Sequence, residues 1–334
     1  MPGRWGLSFP LDGVPPAAHA GVLREAEALG YTDAWSYEVD GTDAFTPLAF
    51  AAACTSRLRL GTAIANVYTR GPATLAMTAS TLAQLAPGRF CLGLGAGSPA
   101  IVANWNGGAF ERPLQRVRDV ATLVRQALSG EKVAASLPAA SMQGFRLARP
   151  PGAPVPLFIA ALRPGMLRLA GELADGVILN WLAPADVLKA VGVVREAARA
   201  AGRDPHRIEV AARLFVLVSE QEDYVQALTR RSIAGYLSTP VYRAFHEWLG
   251  RGPALAAMHA KWEAGDRRGA LEAIPREVVD DLFIHGSAER CRERVEEYVA
   301  AGVSVPLLHF APSTLDPAGL ADAQLAAMRA LAPR

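Results

Sequence analysis

The chain has 334 residues, more than one average domain and enough for a single eight-stranded α/β barrel of roughly 250 residues with insertions. Hydrophobic residues make up 51% and charged residues 20%, a balance that excludes a disordered chain. The net charge of +2 comes from 34 basic and 32 acidic residues with no basic run dense enough to neutralise a row of phosphates, so nucleic acid is not an expected partner.

In chain order, a first strand is predicted over 5–9. It ends in SFPLDGVPP, a loop without the glycine fingerprint that a doubly wound dinucleotide fold carries there. A helix over 17–29 runs through EALGYTDAW, where Gly30 can take positive φ to end the helix, into a second strand over 33–37. Helix 47–54, strand 58–64, helix 72–85, strand 90–94 and helix 113–128 follow. Residues 130–150, ending in FRLARPPGAP, are predicted as a hairpin insertion after the fourth helix. Strand 155–160, helix 164–174, strand 176–180, helix 184–201 and strand 208–218 continue the alternation.

Residues 220–280 are predicted as a second, helical insertion, and helix 288–301 with strand 303–310 completes the series. In the second insertion Tyr236, Tyr242, Phe245, Trp248, Met258 and Trp262 form either a cover over a pocket or a small core of their own. Several of the helices begin at proline, whose missing N–H is no loss in a first turn. Eight strands alternating with helices imply parallel βα units, and closing them removes both sheet edges. The expected fold is therefore α/β, a (β/α)8 TIM barrel forming one domain over 1–334 with the two insertions.

Cys54, Cys91 and Cys291 are far apart with no CxxC pair, as expected of reduced thiols, and no metal site is expected. No apolar stretch reaches eighteen residues free of charge, Pro or Gly, so no membrane partner is expected and the chain is read as cytoplasmic.

In such a barrel the reacting groups lie at the C-terminal ends of the strands. Glu38 follows the second strand in WSYEVDGTDAFTPL; it is either a carboxylate over an apolar cavity, able to act as general acid or base, or one half of a loop salt bridge. The fourth strand leads into LGLGAGSPAIVANWNGG, whose alternating glycines let a flat ring or a phosphate approach the backbone. The fifth ends in IAALRPGM, where a helix N-terminus beside Arg163 could receive an anion. Strand six ends in Asn180 and Trp181. Of six scattered histidines, His309 alone sits at a strand end facing the site, and it is read as structural. Ser287 is read as the N-cap of the helix that follows it.

Taken together, AWSYEVDGTDAFTPL, RLRLGTAIANVYTRGPATLAMTASTLAQLAPGRFCLGLGAGSP, PLFIAALRPGMLRLAGELADGV and FIHGSAERCRERVEEYVAAGVSVPLLHFAP resemble the bacterial luciferase-like family, and within it the coenzyme F420-dependent oxidoreductases. The resemblance implies a luciferase-like TIM barrel holding coenzyme F420, or alternatively FMN, with its ring in the barrel mouth. By position it implies a bulge at Ala63 and Ile64, often a non-prolyl cis peptide in the family, and ring contacts at Tyr37, Asn66, Ala96, Gly97 and Ser98. It implies a phosphate-binding turn at Leu162, Arg163, Gly165 and Met166.

A sugar-phosphate dehydrogenase branch of the family carries His after strand two and Glu after strand four. Here those positions read Glu38 and Ser98, which leaves Glu38 as the expected catalytic residue. Its substrate-phosphate Thr and Lys read Asn180 and Ala183, so a sugar phosphate is not expected. The implied activity is hydride transfer between F420 and an apolar organic substrate; an FMN-dependent monooxygenase and a non-catalytic flavin-binding barrel are the alternatives. A homodimer is expected through the helices of AFTPLAFAAACTS and PATLAMTASTLAQLA.

Overall fold

The computed structural model describes residues 3–333 apart from 315; residues 1, 2, 315 and 334 of the expected domain lie outside the described residues. The barrel strands are β1 (Gly6–Phe9), β2 (Asp33–Ser36), β3 (Arg59–Thr62), β4 (Phe90–Gly95), β5 (Leu157–Ala160), β6 (Gly176–Asn180), β7 (Glu209–Val218) and β8 (Val305–Phe310). Each pairs in parallel with the next, and β8 pairs with β1, so the ring closes. The expected α/β barrel is present, with helices between the strands.

Alternation along the strands sets the interior. From β2, β3, β5 and β7 the inward residues are Asp33 and Trp35, Arg59 and Gly61, Phe158 and Ala160, and Glu209, Ala211, Arg213 and Phe215. The middle layer packs Trp35, Cys91, Phe158, Ile178, Ala211, Val305 and Leu307 together. Large rings from β2 and β5 fit because β3 and β6 contribute glycine opposite them. A Cβ on Gly61 would lie 2.4 Å from the Trp35 ring, and one on Gly176 would lie 2.1 Å from Phe158. Trp35 and Phe158 meet edge to face at 4.9 Å.

At the N-terminal end the barrel is plugged by charge. Asp33, 0% exposed, accepts from Arg59 Nε at 2.8 Å, Arg4 Nη2 at 3.0 Å, Trp35 Nε1 at 3.0 Å and Thr32 Oγ1 at 2.7 Å. Arg59 also reaches Glu209 through both terminal nitrogens, at 2.9 and 2.8 Å.

The helices cover the barrel because their apolar positions recur at helical spacing. In Pro113–Leu128 the buried residues Val117, Val120, Ala121 and Val124 form one stripe, each valine contributing about 1.5 to 3 kcal/mol by burial. Proline stands in the first turn of this helix and of Pro72–Leu85, Pro164–Leu173 and Pro184–Ala200. Gly30 adopts φ +94° after its helix, and Ser287 accepts from Arg290 N–H, as the sequence implies. The outward faces of Thr46–Cys54 and Pro72–Leu85 expose Phe50, Met77 and Leu85. Among the described residues no helix is long and apolar enough to cross a membrane.

The first insertion is an antiparallel hairpin, Val133–Ser136 with Ser141–Phe145. The second consists of helices Glu222–Leu237, Pro240–Leu249, Gly252–Glu263, Arg267–Glu272 and Arg276–Leu282, followed by a short strand, Ile284–Gly286, on the end of β7. Its large side chains divide between core and mouth. Phe245 and Met258 are fully buried core, whereas Tyr236 and Tyr242 pack toward the barrel mouth.

His246 lies in that insertion, fully buried, and burial with Arg251 nearby pushes its pKa down to about 3. The folded state therefore keeps His246 neutral while the unfolded chain takes up a proton below about pH 6.5. Stability from this residue is fully present above that pH and is lost as pH falls toward 3, at about 1.4 kcal/mol per pH unit. In urea titrations from pH 7 to 4, His246→Leu is expected to lose stability less steeply than wild type by about one proton; equal slopes would remove His246 from the acid response.

Candidate functional site at the barrel mouth

At the C-terminal end the inward positions are small on one side and polar or aromatic on the other. Ala63 follows β3, Gly95 ends β4 and Ala160 ends β5; Tyr37 follows β2, and Asn180, Arg213 and His309 come from β6, β7 and β8. Ala63, Ala160, Tyr37, Asn180 and His309 all point inward and yet remain partly accessible at this end of the barrel.

The small side is shaped by a bulge. β3 pairs with β4 only at Leu60 and Gly61, then releases Ala63 and Ile64, and the chain rejoins β4 at Ala65 and Asn66. Thr62 bridges the gap by donating its hydroxyl to Gly93 O at 2.7 Å and accepting Gly93 N–H at 2.8 Å. The Ala63–Ile64 peptide is cis, in the place expected. Ile64 lies over Gly95, where a Cβ would stand 2.9 Å from it. Asn66 lies against Gly97, whose φ of +66° and 2.2 Å clearance require glycine. The Asn66 side-chain oxygen accepts Tyr68 N–H at 2.8 Å, while its Nδ2 is buried with no partner.

Glu38, expected either over an apolar cavity or in a loop salt bridge, is held by four contacts at the end of β2. Arg70 binds both carboxylate oxygens, at 2.5 and 2.6 Å, and the carboxylate also accepts the N–H groups of Ala44 at 3.2 Å and Asn66 at 3.4 Å. The loop salt bridge is present: a guanidinium thirty-two residues along the chain folds back onto Glu38. Arg70 is the partner that sequence reasoning missed.

Tyr37, Glu38, Ala63, Ile64, Asn66, Ala96, Gly97 and Ser98 are thus gathered at the ends of β2, β3 and β4. Ser98 Oγ accepts Ile101 N–H at 3.3 Å and begins the wide helical segment Ala100–Trp105. Leu162, Arg163, Gly165 and Met166 form the turn after β5. There Leu162 and Met166 pack on the core, Arg163 is exposed, and the helix Pro164–Leu173 has no side-chain cap on its first N–H groups.

The polar side is a connected cluster. Arg213 Nη2 donates to His309 Nδ1 at 3.0 Å, and its guanidinium lies 4.4 Å from the centre of the Tyr37 ring and 5.0 Å from that of Phe215. Because arginine only donates, His309 Nδ1 is the acceptor, and burial with Arg213 beside it pushes the His309 pKa well down; the neutral ring carries its proton on Nε2. Tyr37 donates to Asp12 at 2.8 Å, and burial and then Asp12 push its pKa up. Trp181, at φ +52°, stacks on Phe215 at 4.1 Å and meets Tyr236 at 4.8 Å. Asn180 Nδ2 donates to Tyr242 OH at 3.0 Å. Strand seven carries the signal for Arg213: one arginine on the inward face of the apolar run EVAARLFVLV.

Comparison with known proteins matches residues 7–304 to the family model described as luciferase-like monooxygenase. The chain is 29% identical over 328 residues to a putative coenzyme F420-dependent oxidoreductase of Mycobacterium tuberculosis, covering 91% of this chain and 92% of that one. It is 31% identical over 307 residues to the 5,10-methylenetetrahydromethanopterin reductase of Methanolobus tindarius, covering 90% and 92%. Its fold matches the coenzyme F420-dependent tetrahydromethanopterin reductase of Methanopyrus kandleri with a TM-score of 0.81 at 24% identity, over 99% of this chain and 98% of that one.

Proposed function

We propose a function for a chain that belongs to the luciferase-like monooxygenase family: it is a coenzyme F420-dependent oxidoreductase that moves a hydride to or from a small, largely apolar organic substrate. The observation that carries the reading is the small-residue side of the mouth. Ala63 and Ala160, small and partly accessible, would leave room for a flat ring beside Ile64, and the buried, unpartnered Asn66 amide offers a donor nearby. The residues present fit a deazaflavin. Ala63, Ile64, Asn66, Gly97 and Ser98 would hold its ring and ribityl chain, with Tyr37 and Ala96 at its borders; Leu162, Arg163, Gly165 and Met166 would receive its phosphate at the helix N-terminus.

A bound 5-deazaflavin supplies two electrons as hydride, and the protein's task is to orient it and exclude water. Trp181, Phe215, Tyr236 and Tyr242 give the opposite wall an apolar, aromatic surface suited to the body of the substrate. The Tyr37 hydroxyl and the Nε2–H of His309 would be the groups to offer a proton to the substrate. Glu38 acts in this reading as a positioning residue, holding Asn66 and the β3 bulge through its backbone contact and Arg70.

A titration of the purified protein with F420, FMN and NADPH, followed by cofactor absorbance, tests the proposal. Saturable F420 binding with FMN far weaker is expected. Preferential FMN binding, with oxygen uptake when FMN is reduced, would replace it with the monooxygenase reading. Loss of an acid or base would lower kcat about 10²–10⁴-fold. Glu38→Gln is expected to lower kcat less than about tenfold and to weaken F420 binding up to about tenfold, roughly 1.4 kcal/mol. A larger kcat loss with unchanged F420 affinity would restore Glu38 as the proton-transfer group.

A further inference from the structure

Three arginines drawn deep into this protein are paired with carboxylates. Arg59 meets Asp33 and Glu209, Arg70 meets Glu38, and Arg251 meets Asp186 and Asp281. Arg213 breaks the rule. It is 8% exposed, it stands on the inward face of β7 at the mouth, and among the described residues no carboxylate is paired with it. Of its five N–H donors one goes to His309, and its Nε has no partner. A buried charge left without a counter-ion is costly, and the rings of Tyr37 and Phe215 offset that cost only in part.

Among the described residues nothing around it supplies the missing charge. Tyr37 and Tyr242 have their phenol pKa values pushed up by burial, His309 is neutral, and the nearby acid, Asp12, is turned outward onto the Tyr37 hydroxyl. We propose that Arg213 docks a single carboxylate of the substrate, so that the enzyme acts on a small apolar acid in preference to a neutral molecule or a phosphate ester. The inference deepens the oxidoreductase reading of the same cavity and rests on it. In a ring of eight strands β7 lies opposite β3, so Arg213 faces the small-residue slot across the mouth. Phe215, two residues along the same inward face, with Trp181 stacked on it, offers an apolar surface beside the charge. One guanidinium with a neutral histidine balances a monoanion; a phosphate monoester would bring a second charge, and none of the three lysines lies at the mouth.

The test uses benzoate, benzyl alcohol and phenyl phosphate as probes, titrated calorimetrically into the purified protein with and without F420. Wild type is expected to bind benzoate at least tenfold tighter than either of the others. Arg213→Met should lose that preference by tenfold or more, hold its benzyl alcohol affinity within twofold and keep F420 binding, with an unchanged far-UV spectrum. Arg213→Lys, which keeps the charge without the fork, should fall between them and carries the test if the methionine variant does not fold. Absence of benzoate preference in wild type, or benzoate binding equal to wild type in either variant, overturns the proposal. So does loss of F420 binding in Arg213→Met with benzoate binding retained, which would make Arg213 a cofactor ligand. If wild type binds no F420 but binds benzoate through Arg213, the cofactor reading fails and the carboxylate site stands.

Discussion

Asp33→Ala is expected to destabilise the protein by about 3–5 kcal/mol, the cost of removing one partner from a buried ion pair and stranding the other. Asp33 is fully buried and is the hub of the N-terminal plug, where Arg59, Arg4, Trp35 and Thr32 all donate to it. Without it Arg59 keeps Glu209 but points a second edge at an empty acceptor site. At about 2.1 cal/mol/K of unfolding entropy per residue, the melting midpoint should fall by about 4–7 °C. Asp33→Asn keeps the shape and some acceptors and should cost less. The double variant Asp33→Ala with Arg59→Met should cost less than the sum of the single changes, because the uncompensated cation is gone. Since the plug is at the far end of the barrel from the mouth, F420 affinity at 20 °C should stay within about twofold. A shift below 1 °C would show that the carboxylate is not needed to hold the plug.

The barrel was legible because its signal is periodic and repeated. Strand 176–180 and the insertions near 130–150 and 220–280 have the places expected of them, since Gly, Pro and polar residues punctuate each apolar run. The limits that moved have local causes. The third strand was expected to continue to Ile64, but its ladder ends at Thr62, whose hydroxyl takes over the bonding to Gly93 as the backbone bulges away. The last strand was expected from Val303 and pairs from Val305, the turn after Ala300 taking the intervening residues. Ile284–Gly286 was read only as the approach to a helix cap, and it becomes a strand because the long end of β7 offers it an unpaired edge. At the site, the small-residue positions were readable because glycine is imposed by close approach. Arg70 was not readable as the partner of Glu38, because a contact across thirty-two residues leaves no local pattern. Arg213 was missed although period-two alternation along EVAARLFVLV puts it inward with Ala211 and Phe215. The mostly apolar run hides the one charge on its inward face that, among the described residues, has no carboxylate partner.

Filling the slot gives the largest functional effect. Ala160 ends β5 facing the mouth, partly accessible, and a Cβ placed on Gly95 would lie 3.3 Å from its own Cβ. A leucine there would project a branched side chain beside Ile64, at the upper edge of the middle layer, where the flat ring is proposed to lie. Ala160→Leu is therefore expected to weaken F420 binding by more than about 100-fold, roughly 2.7 kcal/mol, with the melting midpoint within about 2 °C of wild type. Arg213, on the opposite strand, should still take benzoate in the same variant, which separates a blocked slot from a collapsed mouth. The smaller Ala160→Ser should keep F420 affinity within a few fold. If Ala160→Leu binds F420 as wild type does, the cofactor does not lie against β5, and the small residues of β3, β4 and β5 are packing devices of the barrel alone.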